Sequence, residues 1–279
     1  MADLVFAGLS YEEIVCKYAQ TVTGVCVMRL QNYADAEDCF QNTFLKLLSK
    51  APSFKNEEHL KSWLIKVAIH ECYNYIKKNK KIRNRELFSV IQTYIINNFG
   101  SKTSVGSLCD YLSKTRKETI RKATIYKYLE ILENAKIISK CKRFDMKSRK
   151  SINGEEKYYL GDLSFYFATN VDARINYGPV LENIVYNYAK SKKYQVSVGQ
   201  IGNLEVDFIL RDLFDKYSYV QVAYTILGSK ETEDREYRPL EQIQDNYPKY
   251  VLSLDYLLQN RSGIIHKNIV NLISENSDF

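Results

Sequence analysis

Three changes of pattern along the 279 residues predict a multidomain chain of α plus α/β class. Over 10–80, apolar residues recur at spacings of three and four, the period of helices with one buried face. Between 84 and 162, three shorter helical stretches give way to two β-prone runs. From 163 on, a helix, three strands, a charged helix and further strands follow in the order αβββαβ. The length allows two or three small domains with cores of their own. The pattern changes set the boundaries at 1–80, 81–162 and 163–279.

The formal charge of +7 is spread unevenly: +3 over 1–86, +8 over 87–160 and −4 over 161–279. A nucleic-acid partner therefore suits the first two segments better than the third. Cations concentrate in 77–85, KKNKKIRNR, where Lys77, Lys78, Lys80, Lys81, Arg83 and Arg85 make six of nine residues. Such a run is either a solvated helix end serving as a linker or a set of phosphate contacts acting largely through counterion release.

The six cysteines, Cys16, Cys26, Cys39, Cys72, Cys109 and Cys141, are scattered, with no C-x-x-C pair and no histidine at ligand spacing. They read as reduced, mostly buried thiols of a cytoplasmic protein. MADLVFAGLSYEE has no basic n-region and no run of eighteen apolar residues occurs, so neither a signal peptide nor a membrane span is expected. Four prolines and eleven glycines beside 23 tyrosines argue for ordered structure.

The first helix is expected over 10–30, burying Ile14, Tyr18, Val22, Val25 and either Met28 or Arg29. The second, 34–48, buries Ala36, Phe40, Phe44 and Leu47 and leaves Asp35, Asp38, Gln41 and Asn42 outside. Its early acids suit the positive end of the helix dipole. Pro52 interrupts the pattern, and a third helix over 57–80 turns Leu60, Trp63, Leu64, Val67 and Cys72 inward. Short connections make these a three-helix bundle.

The string Asp35-Ala36-Glu37-Asp38-Cys39-Phe40-Gln41-Asn42-Thr43-Phe44-Leu45, then Phe54 and Trp63-Leu64-Ile65-Lys66-Val67-Ala68, resembles region 2 of bacterial RNA polymerase sigma factors of the extracytoplasmic-function group, over about 9–80. The resemblance implies that Asp35, Asp38, Gln41 and Asn42 contact core RNA polymerase. It implies too that the loop between Pro52 and His59 and the helix after it, with Trp63, Lys66, His70, Asn74 and Lys77, meet the melted −10 promoter strand. The cations from Lys78 to Arg85 would extend that contact along phosphates. His70, Asn74 and Lys77 stand where the family usually has asparagine, aspartate and arginine, which leaves the DNA sequence read open. On composition alone, the acidic face of the second helix is an ordinary solvated surface.

Helices are next expected over 84–99, 105–112 and 123–135, the last with Ile125, Leu129 and Leu132 inward. The β-prone runs 137–144 and 156–162 flank a charged turn around Asn153-Gly154. Three helices and a two-stranded ribbon make a winged helix. Its third helix would present Thr124, Lys127 and Tyr128 to a major groove, and its wing would bring Arg143, Lys147, Arg149 and Lys150 near phosphates. A protein-docking module of the same build is the alternative.

In the third segment a helix over 180–190 carries Glu182. Strands follow at 194–200, 205–211 and 218–225, then a charged helix over 232–244 and strands at 250–254 and 264–273. That order is the core of the restriction-endonuclease-like PD-(D/E)xK nucleases, in which a strand aspartate and an E-x-K pair hold a divalent cation. Asp207 stands at the aspartate position, and Glu182 offers a further oxygen. Gln221-Val222-Ala223 replaces E-x-K, so Gln221 is a neutral ligand and Ala223 supplies no ammonium. A degenerate, inert site with at most weak Mg²⁺ or Mn²⁺ binding at Asp207 and Glu182 is expected. An active one needs another cation, for which Lys192 or Lys193 is the candidate.

Blocks over about 88–274, among them KYYLGDLSFYF and NLEVDFIL, resemble the C-terminal domain of a family of prokaryotic P-loop ATPases that pairs a winged helix with a nuclease-like fold. The ATPase module itself is missing: no G-x-x-x-x-G-K-[ST] occurs, and Gly100-Ser101-Lys102-Thr103 lacks the preceding glycine loop. The chain thus reads as a fusion of a sigma-like bundle with that domain. The function implied is that of a DNA-binding, sigma-factor-like protein of transcription initiation, with core RNA polymerase and DNA as partners and no cofactor. Two alternatives stay open. One is a DNA-processing or defence nuclease-like protein, Mg²⁺-dependent if active, with the bundle as adaptor; the other is a fusion remnant without activity.

Overall fold

Local capping sets where the N-terminal helices begin. A computed structural model describes residues 5–79, 82–116, 119–148, 150–169 and 175–279; Lys80, Lys81 and Arg149 lie outside the described residues. A hairpin of β1 (Val5–Phe6) and β2 (Leu9–Ser10) leads into α1 (Tyr11–Leu30). Ser10 and Glu13 form a capping box, each side chain accepting from the other's backbone N–H. Asn32 caps α2 (Tyr33–Lys50) by accepting from the N–H groups of Ala34 and Asp35. At the start of α3 (Glu57–Asn79), Asn56 Oδ1 accepts from His59 N at 2.8 Å.

After α3 come α4 (Arg85–Asn97), β3 (Lys102–Thr103), α5 (Val105–Arg116), α6 (Lys122–Asn134), β4 (Ile138–Asp145) and β5 (Lys150–Leu160). The hairpin between β4 and β5 turns after Asp145, whose Oδ1 accepts from the N–H groups of Lys147 and Ser148. Gly154, expected in that turn, lies instead within β5 at φ 101°, opposite a register shift between Cys141 and Arg143. Such a bulge needs a residue free to adopt positive φ. The chain ends with α7 (Ser164–Thr169), α8 (Tyr177–Ser191), β6 (Gln195–Ile201), β7 (Leu204–Arg211), β8 (Tyr217–Val222), α9 (Lys230–Glu241), β9 (Lys249–Ser253), β10 (Ile265–Asn268) and α10 (Ile269–Ser274). The last expected strand is split, because Asn268 Oδ1 accepts from Asn271 N and caps a helix there.

The chain divides into two compact units, Met1–Gln92 with Lys127–Ile137, and Thr93–Tyr126 with Ile138–Phe279. In the first, Ile14, Tyr18, Val22 and Cys26 of α1, Ala36, Cys39, Phe44 and Leu47 of α2, and Leu60, Leu64, Ala68, Cys72 and Ile76 of α3 form the core. Cys26 rather than Val25 completes the α1 face. Met28 is exposed, while Arg29 is buried and donates to the carbonyls of Ala135 and Lys136 just past α6. A guanidinium bonded to carbonyls left unpaired at a helix end can be buried, which settles the choice between positions 28 and 29.

In the second unit eight strands form one sheet in the order β10-β9-β8-β7-β6-β4-β5-β3. Strands β6, β7 and β8 are an antiparallel meander, and β9 and β10 add in parallel. Strand β4 pairs in parallel with β6, so the hairpin that the sequence groups with the central helices is hydrogen-bonded into the C-terminal sheet. One face is covered by α8 and α10, with Leu181, Val185, Tyr186, Ile269 and Leu272 over Val198, Phe208, Val220 and Leu252. The other is covered by α9, with Tyr237 and Leu240 over Val206, Ile209 and Val251. A Cβ on Gly199 would stand 3.0 Å from Val206 Cβ, so the close approach of β6 and β7 favours glycine.

Between β9 and β10, Gln259 N donates to His266 Nδ1 at 3.0 Å. The imidazole proton is therefore on Nε2, which donates to Ser253 Oγ at 2.8 Å, and that hydroxyl donates to Asp255 Oδ2 at 2.8 Å. The polarity is the reverse of a serine nucleophile's, because the hydroxyl proton points to a carboxylate and not to an imidazole acceptor. Burial holds His266 below its ordinary value of 6.5. The unfolded chain binds this proton more readily than the folded one, so the contribution of His266 to stability is full above about pH 6.5 and falls as pH drops below it. Urea midpoints measured against pH should show this loss in the wild type and lose it in His266→Gln.

Candidate polar groove and buried carboxylate cluster

Burying Ala36, Cys39, Phe44 and Leu47 turns Asp38, Gln41 and Asn42 outward on α2, and all three are exposed. They line a groove of about 360 Å³ whose other wall is Glu71, Asn74, Tyr75 and Lys78 of α3. Candidate polymerase contacts and two candidate DNA contacts thus share one groove. Asp35, half-buried at its end, accepts from Tyr75 OH at 2.6 Å. Lys46 pairs with Glu71 across the two helices.

Along α3, Trp63, Lys66, His70, Asn74 and Lys77 fall on one face by helical spacing. Trp63 and His70 are half-buried, Lys66, Asn74 and Lys78 exposed. Phe54 stands edge-on to Trp63 and to His59, ring centroids 5.6 Å apart in each pair, which seats the 51–56 loop on α3. Arg83 and Arg85 are exposed, and Arg85 donates to Lys78 O, bringing the start of α4 back to the end of α3.

Two of the expected duplex contacts are not available. Tyr128 is 2 % exposed; its hydroxyl accepts from Asn84 N and its ring packs edge-on to Phe88, so it belongs to the core. Arg143 is 5 % exposed and donates to Glu155 at 2.8 Å and Gln200 at 2.6 Å, so its guanidinium is held within the sheet. Thr124 is half-buried, while Lys127, Lys147 and Lys150 are exposed.

In the second unit the structure does bring Glu182, Asp207 and Gln221 together, around a residue that sequence reasoning did not select. Lys157 of β5, 5 % exposed, pairs with Glu182 Oε2 at 3.2 Å and Glu205 Oε1 at 2.9 Å. Tyr159 OH donates to the same Glu182 oxygen, and Lys102 of β3 holds Glu205 at 2.8 Å. Asp207 Oδ2 accepts from Val222 N at 2.8 Å. Gln221 accepts from Asp207 N and donates to Glu236 of α9 at 3.1 Å. Burial pushes both Asp207 and Glu182 up. Burial alone would lower Lys157, but Glu182, Asp207 and Glu205 hold its ammonium above the ordinary lysine value. Lys192, one expected substitute for the missing lysine, is instead engaged by Asn276 O and Asp278, and Lys193 is exposed.

These residues do not fit a divalent ion, since the Lys157 ammonium already lies against Glu182 and Asp207 Oδ2 is taken up by Val222 N. Among the described residues no group of three or more His, Cys, Asp or Glu is placed to hold a metal. No signal of spacing links position 157 to 182. The one available hint was a lysine opening the apolar run Tyr158-Tyr159-Leu160, two residues from an inward-facing tyrosine.

Residues 14–82 match the sigma-70 region 2 family, so the groove and the α3 face lie in a segment similar to that family. Residues 52–174 match a domain of unknown function, DUF8612, whose span runs across 77–85. An uncharacterized protein of Haemophilus influenzae is 29% identical over 67% of this chain and 45% of its own length. RNA polymerase sigma factor YlaC of Bacillus subtilis is 27% identical over 40% of this chain and 61% of its own length. An uncharacterized protein of Methanocaldococcus jannaschii is 24% identical over 75% of this chain and 46% of its own length. The chain therefore spans about half the length of the two uncharacterized relatives. No solved structure matches it. Among the described residues no helix is long and apolar enough to cross a membrane.

The placement of Arg143 separates a structural from a DNA-contacting role. Arg143→Met should lower stability by about 2–3 kcal/mol, the scale of buried hydrogen bonds to a charged group, and leave the DNA affinity of the folded chain unchanged. Denaturation and fluorescence anisotropy on the same variant check both halves.

Proposed function

We propose that this chain is a sigma-factor-like protein of transcription initiation, whose first unit docks on core RNA polymerase through the α2 side of the groove and meets promoter DNA through α3. The observation that carries this is the shared groove: Asp38, Gln41 and Asn42 on one wall, Asn74 and Lys78 on the other, within the segment similar to sigma-70 region 2. An exposed wall of carboxylate and amide groups offers acceptors to a basic partner surface, and exposure keeps its contribution to folding small. The α3 face and the cations that follow it supply phosphate contacts, which dominate affinity and make it salt-dependent.

In the same proposal, 81–162 acts as a winged helix adding duplex contacts through Thr124, Lys127, Lys147 and Lys150, and 163–279 is a nuclease-like domain without catalysis. The order αβββαβ and the presence of Glu182 and Asp207 in one cluster support that ancestry. The engagement of Glu182 by Lys157 and of Asp207 Oδ2 by Val222 N supports its inertness.

Asp38→Ala with Gln41→Ala should abolish association with core polymerase while costing about 0.5 kcal/mol or less each, because both side chains are exposed. Co-purification of the double variant at the wild-type level would sink the docking proposal.

Replacing the six cations of 77–85 by glutamine should lower the slope of log affinity against log salt by several units, at roughly 0.9 for each phosphate of duplex DNA that the variant leaves unneutralised. An unchanged slope would leave the run as a linker only.

A further inference from the structure

The carboxylates that a metal-dependent centre would use are gathered here around an amine. We infer that Lys157 is a built-in cation that takes the place of a divalent ion and makes this centre a metal-independent clamp joining β5, α8 and β7. The inference rests on the cluster alone and is independent of the polymerase-docking proposal.

Strand geometry puts the parts in place. Residues two apart on a strand share a face, so Lys157 and Tyr159 both reach Glu182, and Glu205 and Asp207 stand side by side on β7. The register sets Lys157 opposite Cys141, the last regular pair before the bulge, and opposite Lys102 on its other side. The N-cap at Asn176 starts α8 so that Glu182 lies in its second turn, over β5. Lys157 then has Glu182 at 3.2 Å on the helix side and Glu205 at 2.9 Å on the strand side. A nearly buried ammonium must be matched by charge and hydrogen bonds, since leaving it bare is far more costly than the pairs are stabilising.

The cluster carries its own cations. Lys157 and Lys102 face Glu182, Glu205 and Asp207, and burial with Glu182 nearby pushes Asp207 toward its neutral form. This gives a physical reason for the neutral residue at 221: a glutamate there would add a negative charge with no further cation to meet it. Gln221 can instead accept from Asp207 N and donate to Glu236, whose other oxygen is taken by Arg235. The departure from E-x-K and the presence of Lys157 are one arrangement, a carboxylate removed where an internal cation has fixed the charge.

Calorimetric unfolding of the full chain tests this. The wild-type midpoint should not move with Mg²⁺ or Mn²⁺ or with EDTA. Lys157→Met should lower it by roughly 10 °C, as expected when a buried pair loses one partner. Lys157→Arg should keep most of the stability. Adding Glu182→Leu to Lys157→Met should recover part of the loss, because the damage is a carboxylate left without its cation. A Mn²⁺-induced rise of the wild-type midpoint, reversed by EDTA, would overturn the inference, and this arm decides even if Lys157→Met fails to fold. An unchanged midpoint in Lys157→Met, or a folded double variant no more stable than the single, would overturn it as well.

Discussion

The candidate contacts of the first unit follow from the helical period on α2 and α3. With 3.6 residues per turn, a helix that buries Ala36, Cys39, Phe44 and Leu47 has no choice but to turn positions 38, 41 and 42 to its opposite edge. The same geometry on α3 buries Leu60, Leu64, Ala68 and Cys72 and leaves Asn74 and Lys78 on the rim. Packing α2 against α3 brings the two polar edges together, and the groove exists because the core beneath it does. Its residues make few bonds that stabilise the fold. They are free to be acidic and amide-rich for another reason, and the docking proposal supplies one.

Charge burial decides the second unit. A sheet covered by helices on both faces leaves little room for polar and charged groups, yet Lys157, Asp207, Gln221 and Glu236 are buried there, with Glu182 and Glu205 beside them. Each is tolerated because its neighbour satisfies it. Catalytic centres that cleave phosphodiesters leave a carboxylate pair open to a cation and keep a positive group beside the attacking water. Here a positive group, Lys157 of β5, lies against Glu182 and Glu205 instead.

The helices were legible because their apolar stripes are long. Ile125, Leu129 and Leu132 of α6 and Ala36, Phe44 and Leu47 of α2 are buried as their spacing requires. Where two neighbours compete for one face, spacing alone does not decide, and Cys26 rather than Val25 packs inward on α1. Tyr128 was misplaced because its hydroxyl makes it look like a surface residue, whereas Asn84 satisfies that hydroxyl inside the core. Asn153-Gly154 carries the composition of a turn but forms a bulge, since glycine serves both. Glu182 and Asp207 were legible from their order along the chain; Lys157 was not, because what joins it to them is sheet order, β5 beside β4 beside β6, which no local pattern encodes.

The central claim is that the exposed edge of α2 is a polymerase-docking surface and not merely a solvated helix face. Amide hydrogen exchange of the full chain, with and without core RNA polymerase, addresses it directly. The account predicts slowed exchange concentrated in α2 and the facing turns of α3, with α8 and α9 unchanged. Exchange unaltered throughout α2 in the presence of core polymerase would contradict it.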